Sequence, residues 1–141
     1  MDPHTERCFE ARLALLKHCG VPAYIRAQAI FLYPAAWASA NAESLAVEDA
    51  SGVSHFQGVD NLCARLAAMR AWDATEYLAD IRGEVLALAA QDDVLVPWTA
   101  SETLIGHLPN GRMTLLTDGG HACTVTRPAA CNAALLEFLA A

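Results

Sequence analysis

Residues 84–123 constrain the fold of this 141-residue chain more than any other part of it. They read EVLALAAQDDVLVP, then a helix-like segment, then MTLLTDGGHAC. The run Val85 to Ala90 is apolar at every position and gives way to two adjacent carboxylates, Asp92 and Asp93. A second run, Met113 to Leu116, gives way to Gly119-Gly120-His121. A short continuous apolar run bounded by turn residues predicts a strand covered by helices on both faces. In parallel sheets of that kind the chemistry sits on the loops after the strands' carboxyl ends. An acid and a histidine are therefore delivered to one sheet edge, which supplies two members of a three-member catalytic triad.

The rest of the chain divides around this stretch. Asp2-Pro3 predicts a helix start, with the helix running to about Lys17 and ending at Cys19-Gly20. Pro22 opens a second helix to about Leu32, interrupted at Tyr33-Pro34. A short helical turn follows over Pro34 to Trp37. Asn41 caps a third helix reaching toward Phe56, and Gly58 breaks it. A fourth, Val59 to Trp72, carries Leu62, Leu66 and Met69 on one face. No strand is expected before Leu78. From residue 81 the order becomes strand 84–90, helix 98–107, strand 112–117 and helix 128–140, the last with Cys131, Ala134, Leu135 and Phe138 on one side. The expected class is α/β: an all-helical segment, residues 1–80, then a βαβα unit, residues 81–141, with two parallel strands.

Charge and cysteine usage narrow the partners. Nine basic against sixteen acidic residues give a net charge of −7, which argues against nucleic acid or an anionic membrane. No apolar run is long enough for a membrane span, and MDPHTERCFE does not read as a signal peptide. Five cysteines without a C-x-x-C pair fit reduced thiols in the cytoplasm, several of them small core residues.

In a triad the carboxylate orients the imidazole, and the ring's other nitrogen handles the nucleophile's proton. Asp93 is preferred as the acid because Asp92 is better placed to form the turn. The plainer alternative, equally compatible with the spacing, is that an aspartate caps the next helix and His121 caps a turn. A nucleophile is harder to find. The chain holds no G-x-S-x-G elbow; Gly52-Val53-Ser54-His55-Phe56 lacks the final glycine and follows no strand. Cys19 and Cys123 are the other nucleophiles weighed, and Cys123, two residues past His121, reads as a core or loop cysteine. Asp118, His121 and Cys123 match no zinc spacing, so no metal and no cofactor is expected. His4, His18, His55 and His107 read as surface or capping residues. Phe31, Tyr33, Trp37 and Phe56 are helix-packing material that in a lid would also line a pocket.

With the two loops placed, the chain resembles the C-terminal half of an α/β-hydrolase. AAQDDVLVP is similar to that family's G-x-x-D-x-x-x-P acid loop, with Ala90 in place of the glycine, and this alignment implies Asp93 as triad acid. GGHAC implies His121 as triad histidine. Within the family the chain is most similar to the aminoacrylate (carbamate) hydrolases of bacterial pyrimidine utilisation, through PHTERCF (3–9), RAQAIFLYPAAW (26–37), HFQG (55–58) and GGHACTVT (119–126). The resemblance implies a helical lid over residues 1–80, with Tyr33 and Trp37 on its substrate side. It also implies a small substrate hydrolysed by a serine nucleophile that belongs to the part of the family fold before the lid. Met1 falls where an internal residue of such an enzyme would be, which is expected of a truncated gene, an alternative start or a fragment. By itself the chain is expected to be inactive, binding substrate only when complemented by the missing N-terminal half, or to serve as a non-catalytic binding or assembly module derived from a hydrolase. The strand 84–90, lacking a second neighbour, is expected to drive homo-oligomer formation.

Overall fold

The structure is a computed structural model that describes residues 1–140. It begins with a long helical stretch, α1 (Pro3–Leu32), whose start is fixed by the Asp2 carboxylate accepting from the amides of His4 at 2.8 Å and Thr5 at 3.2 Å. Inside α1 the helix breaks at Gly20, where φ is 81° and ψ 178°, a conformation open almost solely to glycine. The break reverses the chain. Residues 12 and 28 of an unbroken helix would lie about 24 Å apart, yet the Arg12 guanidinium donates to the Gln28 side chain and, at 3.4 Å, to the Tyr24 hydroxyl. The same group lies over the rings of Phe9, Tyr24 and Phe31, 5.5–5.7 Å from their centroids. α1 is thus a helical hairpin with Gly20 at its tip and Arg12 pinning its arms, in the places where the sequence put the end of one helix and the start of the next.

The short α2 (Ala35–Ala40) leads into α3 (Ala42–Ser54). Asn41 precedes α3 as expected but does not cap it; its side-chain amide donates back to the Trp37 carbonyl at 2.8 Å. Gly58, at φ 98°, separates α3 from α4 (Val59–Ala71). The spacing of apolar residues in α4 decides its packing. Leu62 and Leu66 join Phe9, Leu16 and Tyr24 in the larger hydrophobic core. Met69, expected on that same face, lies a turn past the core beside Met1 and Trp72 and stays 49% exposed. A 3₁₀ turn, Thr75–Asp80, ends the helical half, and no strand occurs before residue 85.

The second half is the expected βαβα unit: β1 (Val85–Ala90), α5 (Trp98–His107), β2 (Gly111–Leu116) and α7 (Pro128–Leu139), with one turn of helix, α6 (Cys123–Thr126), before α7. β1 and β2 run parallel in the register Val85↔Gly111 to Ala90↔Leu116. One expectation is corrected here. β1 is not buried throughout: only Ala90 is, and the other five positions are half-buried, because β2 is the strand's sole neighbour among the described residues. α7 buries Cys131 but leaves Leu135 exposed, along with Leu136 and Leu139. The core of this half is small, made of Ala90, Cys123 and Cys131 with Leu88 and Leu116 against them.

Candidate active site

Both loops after the strands are fixed by side-chain-to-backbone bonds. At the end of β1 the Asp93 carboxylate uses Oδ1 to accept from the amides of Leu95 at 2.8 Å and Val96 at 2.9 Å, closing the turn. Its other oxygen, Oδ2, lies 2.9 Å from Nδ1 of His121. One residue back, Asp92 Oδ1 accepts from the Gly120 amide at 2.8 Å. The two aspartates divide the work: Asp92 holds the backbone of the histidine loop, and Asp93 holds the ring. Neither aspartate caps α5, whose N-cap is Pro97; and it is Asp93, not Asp92 as expected, that forms the turn, while it also holds the ring.

Glycine is required in the histidine loop by close approach as well as by backbone angle. Gly120 has φ 66°, and a Cβ there would sit 2.9 Å from Pro34 Cδ and 3.0 Å from the Leu32 carbonyl oxygen. That carbonyl also accepts from the Ala122 amide at 2.9 Å. The loop is therefore seated against the end of the α1 hairpin. Beyond it, the buried Thr126 hydroxyl donates to the Gly119 carbonyl at 2.6 Å.

The electrostatics follow from these contacts. Burial pushes the Asp93 carboxyl up, but the bonds from His121, Val96 and Leu95 outweigh it and hold the group below the ordinary carboxylate range. An ionised Asp93 can only accept, so Nδ1 of His121 carries the shared proton and Nε2 is left to face a reacting group. The Asp93 side chain is 11% exposed and that of His121 37%, so the acid is shielded while the ring reaches the surface.

The other sequence candidates fall elsewhere. Ser54 is the last residue of α3 and donates to the Ser51 carbonyl, a helix end with no elbow geometry. Cys19 is exposed beside the hairpin tip. Cys123 is buried, and burial together with Cys131 pushes its thiol up to about 11, the reverse of an activated nucleophile. Asp118 is ion-paired to Arg127, so Asp118, His121 and Cys123 have separate partners and do not converge. Tyr33 lines a cavity of about 530 Å³ together with Phe31, Pro34, Asp92, Val94 and Gly120, the last three flanking the Asp–His pair. Its hydroxyl donates to the Glu48 carboxylate, 3.1 Å from each oxygen. Trp37 stacks on the Tyr33 ring, centroids 4.6 Å apart, and does not line that cavity. Asp93 and His121 line a smaller cleft of about 150 Å³ with Ser101 of α5.

Contacts the sequence reading missed come from the first arm of α1. His4 Nε2 donates to the Val94 carbonyl at 2.7 Å, and Cys8 Sγ lies 3.5 Å from the same oxygen and from His4 Nε2. The available signal was the helical spacing of His4, Cys8 and Arg12, which places all three on one face.

Comparison with known proteins covers nearly the whole chain. It is 49% identical over 138 residues to a protein of Agrobacterium fabrum described as "Putative carbamate hydrolase RutD", and 48% identical over 139 residues to a protein of the same description from Variovorax paradoxus. These alignments take in 98–99% of the chain and 52–53% of the relatives, so the chain spans about half the length of the curated relatives it matches. The crystal structure described as "Putative non-heme bromoperoxidase BpoC" from Mycobacterium tuberculosis, an α/β-hydrolase, superposes with a TM-score of 0.76 at 24% identity, over 99% of this chain and 53% of that one. No protein-family model matches.

Proposed function

We propose that this chain, with its partial α/β-hydrolase fold, supplies Asp93 and His121 as the acid and base of a hydrolytic triad whose nucleophile lies outside these 141 residues. The observation that carries this is the 2.9 Å contact between Asp93 Oδ2 and His121 Nδ1, with Oδ1 spent on the turn. Held this way, His121 takes the nucleophile's proton through Nε2 as the nucleophile attacks, then returns it to the leaving group, with Asp93 stabilising the imidazolium between the two steps. The likeness to proteins described as "Putative carbamate hydrolase RutD" supports a small substrate such as a carbamate; aminoacrylate as its variant and a cytoplasmic setting belong to the same proposal. In this reading residues 1–80 form the lid. Tyr33 walls the substrate cavity and Trp37 stiffens it from behind.

The isolated chain is then inert as a serine hydrolase. Loss of the nucleophile costs roughly 10⁶ in rate in such enzymes, and loss of oxyanion donors another 10² or more. Fluorophosphonate labelling beside p-nitrophenyl ester hydrolysis tests this, with no labelling and no turnover expected. Stoichiometric labelling of any serine, Ser54 and Ser101 included, would overturn it.

A second reading, a non-catalytic assembly module, is favoured by one observation. β1 is apolar at every position and half-buried, which leaves a strand edge open to pairing. A homo-oligomer through that edge follows, and the size of the protein in solution decides it.

A further inference from the structure

The two arms of the α1 hairpin end at the two loops of the Asp–His pair. The first arm reaches the acid loop: His4 Nε2 donates to the Val94 carbonyl at 2.7 Å, and the thiol of Cys8, kept protonated by its burial, lies 3.5 Å from the same oxygen. Val94 directly follows Asp93, inside the turn that Asp93 Oδ1 closes onto Leu95 and Val96. The second arm reaches the histidine loop: the Leu32 carbonyl accepts from the Ala122 amide at 2.9 Å, and Gly120 passes against Pro34. Between them, Arg12 binds the arms together through Gln28 and Tyr24.

We propose that the α1 hairpin is a clamp that sets the geometry of the Asp93–His121 pair, with His4 as its positioning residue on the acid loop. The inference rests on the reading of Asp93 and His121 as a working pair. A carbonyl held from outside the turn cannot rotate freely, so the Asp93 carboxylate keeps Oδ2 aimed at the ring while Oδ1 stays on the turn amides. Within the βαβα unit, Asp92 ties the start of the acid loop to the Gly120 amide and the Gln91 amide donates to the Leu116 carbonyl at 2.9 Å; the Val94 carbonyl, on the far side of Asp93, is held by the hairpin. This assigns the helical half a second task besides covering the site.

The test reads Asp93 itself, by carbon NMR of its carboxyl group across a pH titration, with amide exchange at Leu95 and Val96. The titratable and charged groups around it are the neighbouring Asp92, His121 from the β2–α6 loop, Cys123 of α6 and Cys8 of α1, with His4 and Arg12 of α1 beside Cys8. His4→Phe keeps a ring and removes the donor. The Asp93 midpoint should move up, and exchange at Leu95 and Val96 should rise about fivefold, the change that one hydrogen bond of ordinary net strength commands. His4→Gln restores a neutral donor and should restore both readings, which separates the hydrogen bond from any charge on His4. His121→Ala reports the pair directly and should move the midpoint up by itself. A midpoint moved by His121→Ala but not by His4→Phe overturns the clamp and leaves the pair standing. A midpoint indifferent to His121→Ala overturns the pair. Should His4→Phe fail to fold, Cys8→Val tests the same carbonyl contact, and an unmoved midpoint there contradicts the clamp.

Discussion

Asp93 gains its role from having two oxygens with different partners. Its folded carboxyl lies below the ordinary range because the bonds from His121, Val96 and Leu95 outweigh the cost of burial. A depressed folded value means that the pair stabilises the fold fully above the unfolded carboxyl value, near pH 4, and that this contribution is lost as pH falls through the folded value. Asp93→Asn should therefore cost about 1–2 kcal/mol at pH 7 and flatten the loss of stability between pH 5 and pH 2. Denaturant unfolding at several pH values measures both, and an unchanged acid slope would count against these contacts of the ionised Asp93. At this scale the sequence was informative where spacing and strand ends decide: it brought Asp93 and His121 to one sheet edge, where they lie 2.9 Å apart. It read His4 only as a surface or capping residue, because a helix-start histidine gives no sign of the carbonyl it will meet 90 residues away.

Helices and strands were legible through their punctuation. Gly20, Pro22, Pro34 and Gly58 mark the helix breaks, and the turn residues after Ala90 and Leu116 mark the strand ends. The apolar spacing of α4 placed Leu62 and Leu66 on the packing face but also Met69, which lies outside the core, and nothing in the sequence showed that α1 doubles back on itself. That reversal needs the Gly20 angles and the Arg12 contacts together. Burial of β1 was overestimated for a related reason: composition describes the sheet a strand suits, while exposure depends on the strands present. Two substitutions test the element-scale account. Gly20→Ala forces a side chain onto φ 81°, ψ 178° and should cost roughly 1–3 kcal/mol, read as a lowered midpoint of thermal unfolding. Gly120→Ala combines φ 66° with contacts of 2.9 and 3.0 Å; it should cost at least as much and also break the His121–Asp93 contact. A Gly120→Ala chain with unchanged stability would mean the histidine loop is not seated on the hairpin end.

Taken whole, the molecule has one substantial core and one slight one. The helical half packs Phe9, Leu16, Tyr24, Leu62 and Leu66 together. The βαβα half buries little beyond Ala90, Cys123 and Cys131, while Leu135, Leu136 and Leu139 of α7 are exposed. Two strands with so little cover are marginal in water, so association through β1 is expected. Light scattering coupled to size exclusion should give a dimer or larger; a 15 kDa monomer at micromolar concentration would exclude it. The central claim, that this chain supplies the acid and base of a hydrolase completed from elsewhere, is tested most directly by complementation. The chain is mixed or fused with the half of the Agrobacterium fabrum relative that it does not match, and ester or carbamate hydrolysis is measured. Turnover is predicted with the wild-type chain, falling by roughly 10³-fold or more with His121→Ala. Equal turnover from the two would contradict the account.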